Sequence, residues 1–244
     1  MEKEKDKLVA LIPARQGSER LKNKNIINFY GKPLIAYTIM SAIKSGIFNK
    51  IVVSTDSKKY AFISKKYGAE VPFLRPKSMS KSYSPDFEWV NYTIEKMQKN
   101  NNFFTHFFIL RPTNPFRSAL HIKDAWNLFK KKKAQSLRAV ELCKQHPGKM
   151  WTIKSGLLKP ILKMSINKQP LYNSQYKTLP KIYVQNASLE ISKVEVLKKQ
   201  KTITHKNIIP FFIKGFNAFD INYPFDIKLA DFLVKHKILK IPKI

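Results

Sequence analysis

Short apolar runs alternate with amphipathic stretches along most of the chain. Leu8-Val9-Ala10-Leu11-Ile12 is continuously apolar and stops at Pro13, which predicts a buried strand. Leu34, Ile35, Thr38, Ile39, Ala42 and Ile43 follow helical spacing, with Pro33 at the first turn and Gly46 after the end. Lys50 to Ser54 predicts a second strand. Asp56 or Ser57 caps a helix to about Tyr67, closed by Gly68. Glu70 to Leu74 predicts a third, short strand, and Arg75 to Pro85, without periodicity, a loop. Asp86 is expected to cap a helix whose face is Phe87, Val90, Ile94 and Met97. Thr105 to Leu110 predicts a fourth strand, and Ile122, Ala125, Trp126 and Phe129 share one helix face. Later come strands at Ile182–Ile191 and Ile208–Ile213, a short helix near Lys193–Lys198 and a last helix, Phe225–Lys237.

Strand and helix in alternation, with strands apolar throughout, imply an α/β fold: a mostly parallel, doubly wound sheet with right-handed crossovers. Ligands bind such sheets at the carboxyl ends of the strands. The loops at 13–25, 75–85 and 111–117 all follow strands and are expected on that one edge. Residues 135–183 differ: Pro147, Pro160, Pro170 and Pro180 interrupt them. They predict an excursion or arm within a single domain spanning 1–244.

Composition narrows the class. A chain of 244 residues with 43% hydrophobic residues can build a sizeable core. One cysteine, Cys143, excludes an internal disulfide. The N-terminal MEKEKDK has no signal-peptide apolar core, and no run reaches the roughly 18 apolar residues of a membrane span. A soluble, cytoplasmic protein with no membrane partner is expected. The net charge of +30 suggests polyanions, yet the lysines spread over the whole chain and the densest run, Lys130–Lys133, ends a predicted helix. Salt-sensitive, unspecific attraction is expected, and no specific nucleic-acid partner.

The candidate chemistry lies just after the first strand. Arg15, Gln16, Gly17, Ser18, Arg20, Lys22 and Lys24 surround one acid, Glu19. A basic, glycine-containing loop after a buried strand suits a polyphosphate, through backbone N–H groups and cationic side chains. The dinucleotide fingerprint, the P-loop, the G-x-S-x-G elbow and zinc-ligand spacings are all absent from the sequence. Cys143 near His146 reads as a structural thiol and a turn histidine rather than a nucleophile pair.

The stretch IPARQGSERLKNKNI resembles the signature of the CMP-sialic acid synthetases (acylneuraminate cytidylyltransferases), written I-P-A-R-x-G-S-K-x-x-P-x-K-N-I. GKPLIAYTI, IVVSTDS, GAEVPFLRP, SPDFEWV, LRPTNPFR, CKQHPGKMW, YVQNASLEI and FDINYPFD follow in the family's order, from about residue 8 to 231. The resemblance implies a Rossmann-like nucleotidyltransferase fold, a homodimer whose contacts use the excursion, and Mg²⁺-dependent transfer of CMP from CTP to a nine-carbon acidic sugar. It implies that Arg15, Lys24 and Asp220 are catalytic. Gly17, Ser18, Asn25, Arg75 and Ser84 join Arg15 and Lys24 around the nucleotide. Arg111, Lys149 and Asn186 face the sugar, and Asp220 with Asn222 holds the metal. Sialic, legionaminic and pseudaminic acids all fit.

Four departures stand out: Glu19 for a lysine, Lys22-Asn23 for Pro-Gly or Pro-Arg, Ser82-Tyr83 for Asp-Thr, and Asn222 for a second aspartate. Arg20-Leu21 is similar to the synthetases that activate the eight-carbon sugar Kdo. A Kdo-type or other sugar nucleotidyltransferase, or a non-catalytic polyanion-binding paralogue, are the alternatives.

Overall fold

Strand Leu8–Pro13 (β1) is buried along its length because both of its faces carry apolar side chains. Leu8, Ala10 and Ile12 pack to one side and Val9 and Leu11 to the other, so helices must cover both faces of the sheet. The computed structural model describes residues 6–242; the reading of the N-terminal segment falls largely on residues 1–5, outside the described residues. No helix among the described residues is long and apolar enough to cross a membrane.

Helix Leu34–Ser45 (α1) follows β1, with Pro33 at its N-cap and Gly46 at φ 64° closing it. Strand Lys50–Ser54 (β2) leads into helix Lys58–Lys66 (α2), capped by the Ser57 hydroxyl, which accepts from the Tyr60 N–H. Helix Asp86–Lys99 (α3), strand His106–Ile109 (β3), helix Ala119–Lys131 (α4) and strand Ser136–Leu142 (β4) come next. The hairpin Trp151–Lys154 (β5) and Leu157–Pro160 (β6) precedes the long strand Tyr183–Lys193 (β7). Helix Val194–Gln200 (α5), strand Ile208–Phe212 (β8) and helix Pro224–Lys235 (α6) finish the chain. The six-stranded sheet has the order β8-β4-β7-β3-β1-β2. β1 pairs in parallel with β2 and β3, whereas β7 is antiparallel to β3. A strand that enters without a preceding crossover helix is free to run antiparallel.

Two expectations need correction. Glu70–Leu74 is not a strand: only Glu70 bridges to Val52. Pro72 has no N–H to continue a ladder. Asp86 does not cap α3; Pro85 is the N-cap, and the Asp86 carboxylate turns to other partners, described below.

The chain forms two compact units, one of residues up to Ala139 with those from Asn186 onward, the other Val140–Gln185. In the first, α1, α2 and α4 pack on one face of the sheet and α3 and α5 on the other. A further cluster joins Phe29, Leu34, Tyr37 and Phe116 to Ile221, Ala230 and Leu233, which seats α6 against the segment after β1.

Arg117 is 1% exposed, and no carboxylate among the described residues forms an ion pair with it. Its Nη1 donates to the carbonyls of Arg111, at 3.2 Å, and Ser188, and its Nη2 donates to Thr38 Oγ1 at 2.7 Å. Burial pulls this guanidinium down to about 9, partly opposed by Asp220.

In the second unit, the Cys143 thiol donates to the Gln145 carbonyl. His146 Nδ1 accepts from Gly148 N–H at 2.9 Å, so Nε2 carries the proton and donates to the Pro180 carbonyl at 3.0 Å. Both ring nitrogens are committed, in keeping with a structural histidine. A Cβ at Gly148 would lie 2.8 Å from Leu171 Cβ, which excludes any larger residue there without a shift.

His106 is buried at the start of β3, edge-on to the stacked rings of Trp126 and Phe129. Burial pushes it down to about 4, with Asp6 opposing and Lys193 adding to the shift. Its folded pKa therefore lies below the unfolded value of about 6.5. The neutral ring contributes stability that is fully present above about 6.5 and is lost as pH falls towards about 4. Thermal unfolding of the parent and His106→Gln across pH 4–7.5 should show a steeper acid loss for the parent; parallel profiles would show that His106 does not titrate with folding.

Candidate active site

The parallel strands β1, β2 and β3 end on one edge, and a cleft of about 590 Å³ opens there. Its walls come from the loop after β1, residues 75–89, the loop after β3, Ala187 of β7 and the turn at Asp220–Asn222. Six cationic side chains line it, Arg15, Arg20, Lys24, Arg75, Lys81 and Arg111, with three carboxylates, Glu19, Asp86 and Asp220. The three loops expected on one edge are all present in its wall.

The loop after β1 is tied down within the protein. Gln16 N–H donates to Asp56 Oδ1 at 2.8 Å, and Asn25 Nδ2 to the Arg15 carbonyl at 3.2 Å. Asn23 takes φ 56°, a left-handed turn that asparagine tolerates, and its Oδ1 accepts from the Tyr60 hydroxyl at 3.2 Å. Arg15 Nη1 donates to the Gly17 carbonyl, and Ser18 N–H closes on the Gln16 carbonyl at 2.8 Å. The Gln16 N–H is thus spent on Asp56 and the Ser18 N–H within the loop, so neither of these two serves a backbone nest. Ser18 lines the cleft whereas Gly17 does not. A Cβ at Gly17 would meet only Arg15 Nη1, at 3.4 Å.

Lys24 Nζ donates to Asn222 Oδ1 at 2.9 Å. Burial lowers its pKa, Asp220 opposes that, and Arg20 and Arg15 lower it further. Asn222 Nδ2 donates to Asp220 Oδ2, while Asp220 Oδ1 is buried without a hydrogen-bond partner. An orphaned carboxylate oxygen beside a phosphate-type site suits Mg²⁺, which takes one or two carboxylates and completes its shell with phosphate oxygens and water. Asn222 does not fit that role as it stands, because its only side-chain oxygen is taken by Lys24 and Arg20. Among the described residues no group of three or more His, Cys, Asp or Glu could hold a metal.

Arg75 is buried, its Nε on Ser54 Oγ at 3.0 Å and its Nη2 on the Ser54 carbonyl at 2.7 Å. Its guanidinium lies 4.8 Å from the Trp89 ring centroid. Burial lowers it to about 10 against the pull of Asp56 and Asp86. Ser84 lines the cleft with its hydroxyl donated to the Ser78 carbonyl at 3.1 Å.

Arg111 Nη2 is shared between Asp86 Oδ2 at 2.5 Å and Glu190 Oε1 at 3.1 Å. Burial alone would lower this arginine, but the two carboxylates outweigh it and raise it. Asp86 Oδ1 accepts from Trp89 Nε1 at 2.7 Å. Asp86 therefore links the arginine after β3 to the ring beneath Arg75. Asn186 Oδ1 accepts from Ser188 N–H at 3.1 Å, while its Nδ2 is buried without a partner. Lys149 belongs to the other unit, where its ammonium donates to the carbonyls of Tyr172 at 2.9 Å and Ser174 at 2.6 Å. Two of its three donors brace that unit, and the expected sugar contact gains no support from this arrangement.

Sequence reasoning placed Arg20 in the basic loop without giving it a role of its own, and it did not assign Asp86, Trp89 or Arg117 to the site. Trp89 and Asp86 were visible only as helix residues. Arg117 closes the LRPTNPFR stretch, and a basic residue in an otherwise apolar environment was its only signal.

The cytidylyltransferase sequence profile matches residues 9–214. The pseudaminic acid cytidylyltransferase of Campylobacter jejuni subsp. jejuni serotype O:23/36 is 42% identical over 123 residues, half of this chain and 53% of that protein. The chain thus spans about half the length of the first curated relatives it matches. The CMP-N,N'-diacetyllegionaminic acid synthase of Legionella pneumophila is 32% identical over 236 residues, covering 94% of this chain and 97% of its own. A CMP:2-keto-3-deoxy-manno-octonic acid synthetase structure in complex with CTP superposes with a TM-score of 0.69 over 95% of this chain and all of that one; at 13% identity the likeness speaks for the fold. A profile match over most of the chain, on a sheet whose carboxyl edge gathers six cations, places this protein in the cytidylyltransferase family.

Proposed function

We propose that the protein transfers CMP from CTP to the anomeric hydroxyl of a nine-carbon acidic sugar of the sialic, legionaminic or pseudaminic type and releases pyrophosphate. The observation that carries this reading is the gathering of Arg15 and Lys24 in one cleft with Asp220, whose buried Oδ1 has no partner. The named substrates of the Campylobacter and Legionella relatives support it.

In this reading Arg15 and Lys24 hold the triphosphate and stabilise charge as it builds on the leaving pyrophosphate. Ser18 and Asn25 line the same part of the cleft. Arg75, braced by Ser54 and Trp89, presents its remaining N–H groups to the base, with Ser84 nearby in the wall. Arg111 orients the sugar from the cleft wall, whereas Asn186, whose Nδ2 is buried and which does not line the cleft, gains no support for a direct contact. The anomeric oxygen attacks the α-phosphorus, the bond from that phosphorus to the bridging β-phosphate oxygen breaks so that pyrophosphate leaves, and the hydroxyl proton passes to water. Asp220 would hold Mg²⁺, whose chemistry is to neutralise phosphate oxygens and align them. CTP is a cytoplasmic nucleotide, and the reading places the enzyme there.

We also propose that the second unit mediates a homodimer. Ile153 pairs directly with Leu158 across the β5–β6 hairpin, and they are 76% and 61% exposed. Leu157, on the opposite face of the hairpin, and Ile161 and Met164 beyond it are exposed as well. An apolar patch of this kind marks a contact surface.

Incubation with CTP, Mg²⁺ and a panel of acidic sugars should release pyrophosphate with a nine-carbon sugar; release with Kdo alone would overturn the sugar class. Lys24→Ala should lower kcat by about 10²-fold or more, and near-normal turnover would remove Lys24 from the chemistry. Sedimentation of the parent should give twice the mass of the 28.4 kDa chain. Ile153→Lys with Leu158→Lys should give monomers, and an unchanged mass would exclude this hairpin as the interface.

A further inference from the structure

We propose that Arg20 is part of the polyphosphate site and that Asn222 is the positioning residue that sets it there beside Lys24. The inference rests on the nucleotide reading above and deepens it by assigning these two residues.

Arg20 lies on the exposed side of the loop after β1. A long, exposed side chain has no reason to hold one geometry, because fixing it costs rotamer entropy. Here it is held from two directions. Its Nη2 donates to Asn222 Oδ1 at 2.9 Å, and its guanidinium lies 5.1 Å from the Tyr223 ring centroid. The same Asn222 oxygen accepts from Lys24 Nζ at 2.9 Å. An ammonium and a guanidinium thus meet on a single neutral atom.

The chemistry of that atom decides what the pair can do. A carboxylate there would hold both cations more tightly but would cancel about one of their charges. An amide oxygen orients both and leaves both charges for a third group. The amide cannot be turned over: its Nδ2 donates to Asp220 Oδ2, and a flipped group would set N–H against two cations and oxygen against a carboxylate. The Asn222 backbone is fixed as well, its N–H donating to Asp226 Oδ2 at 2.7 Å in the first turn of α6. Two cations converging on one acceptor match the adjacent oxygens of a phosphoanion, and both residues line the cleft with Arg15.

Titration calorimetry of the whole chain with pyrophosphate and with CTP, in chelator, tests this without turnover. Arg20→Ala should weaken pyrophosphate binding about tenfold, the worth of one charge-assisted hydrogen bond. Asn222→Ala should weaken it by a similar factor, and the double variant by less than the product, since one acts through the other. Asn222→Asp should also weaken it, because the new carboxylate neutralises the pair, and Arg20→Lys should recover part of the loss. Melting curves matching the parent exclude a folding defect; Arg20 is exposed, so its variants carry the test even where those at Asn222 fold poorly. Parent-like affinity in Arg20→Ala, or in Asn222→Asp, overturns the proposal while the nucleotide reading stands. A parent chain that binds neither pyrophosphate nor CTP overturns both.

Discussion

A buried guanidinium without a carboxylate partner leans on neutral oxygens, and at Arg117, whose Nε has no hydrogen-bond partner, that requirement organises one wall of the cleft. Thr38 on α1, the Arg111 carbonyl after β3 and the Ser188 carbonyl on β7 each supply one acceptor. The Arg117 carbonyl returns the connection by accepting from Ser41 of α1 at 2.8 Å. Taking such a charge out of water costs several kcal/mol, so each acceptor is held where the charge needs it. Three segments far apart in sequence are thereby fixed to one point. Two of them carry cleft residues, Arg111 on the loop and Ala187 on the strand. An arginine lowered to about 9 still carries its charge at neutral pH.

Five of the six cleft cations fall into two groups by the kind of partner that holds them, while the Nζ of the sixth, Lys81, lies 5.6 Å from the Tyr83 ring centroid. Arg15, Arg20, Lys24 and Arg75 are oriented by neutral acceptors: a carbonyl, an amide oxygen, a hydroxyl and another carbonyl. Their charge is not cancelled by the groups that aim them. Arg111 is oriented by two carboxylates, one of which, Glu190, also accepts from Arg138 at 2.7 Å. Its environment is close to neutral, and it can offer direction more than charge. A triphosphate needs the first kind of surface. A sugar with one carboxylate and many hydroxyls is served by the second, where hydrogen-bond geometry decides recognition.

The sequence pattern was most legible where burial sets periodicity. β1, α1, β2, α2 and α4 all follow from apolar spacing and from the Pro33, Gly46 and Ser57 signals at their ends. It was least legible where one local choice competes with another. Asp86 has the composition of a cap, yet a tryptophan indole and an arginine offer its carboxylate stronger partners than the helix N–H groups. Gly17 and Ser18 have the composition of a backbone nest, yet the loop is stabilised by turning the Ser18 N–H inward. Lys149 sits in a stretch that pointed to a ligand, but the carbonyls of its own unit take two of its donors. In each case the residue types fitted the expected role, and the outcome was decided by competition among partners, some near in sequence as for Ser18 and Trp89 and some distant as for Arg111, Tyr172 and Ser174.

The net charge of +30 illustrates the difference between a basic protein and a phosphate site. Lys130, Lys131, Lys132 and Lys133 stand at the exposed end of α4 and in the turn after it. Such lysines keep their rotamer freedom and attract polyanions only diffusely, in a way that salt screens. Charge in the cleft is less abundant but oriented. Arg75 spends two of its nitrogens on Ser54, and Lys24 gives up part of its hydration to lie beside Asn222 and Asp220. That prior cost is the physical signature of function here. Desolvated, aimed cations do not arise from an average rich in lysine; they persist where a ligand with fixed anionic geometry offsets what it takes to hold them.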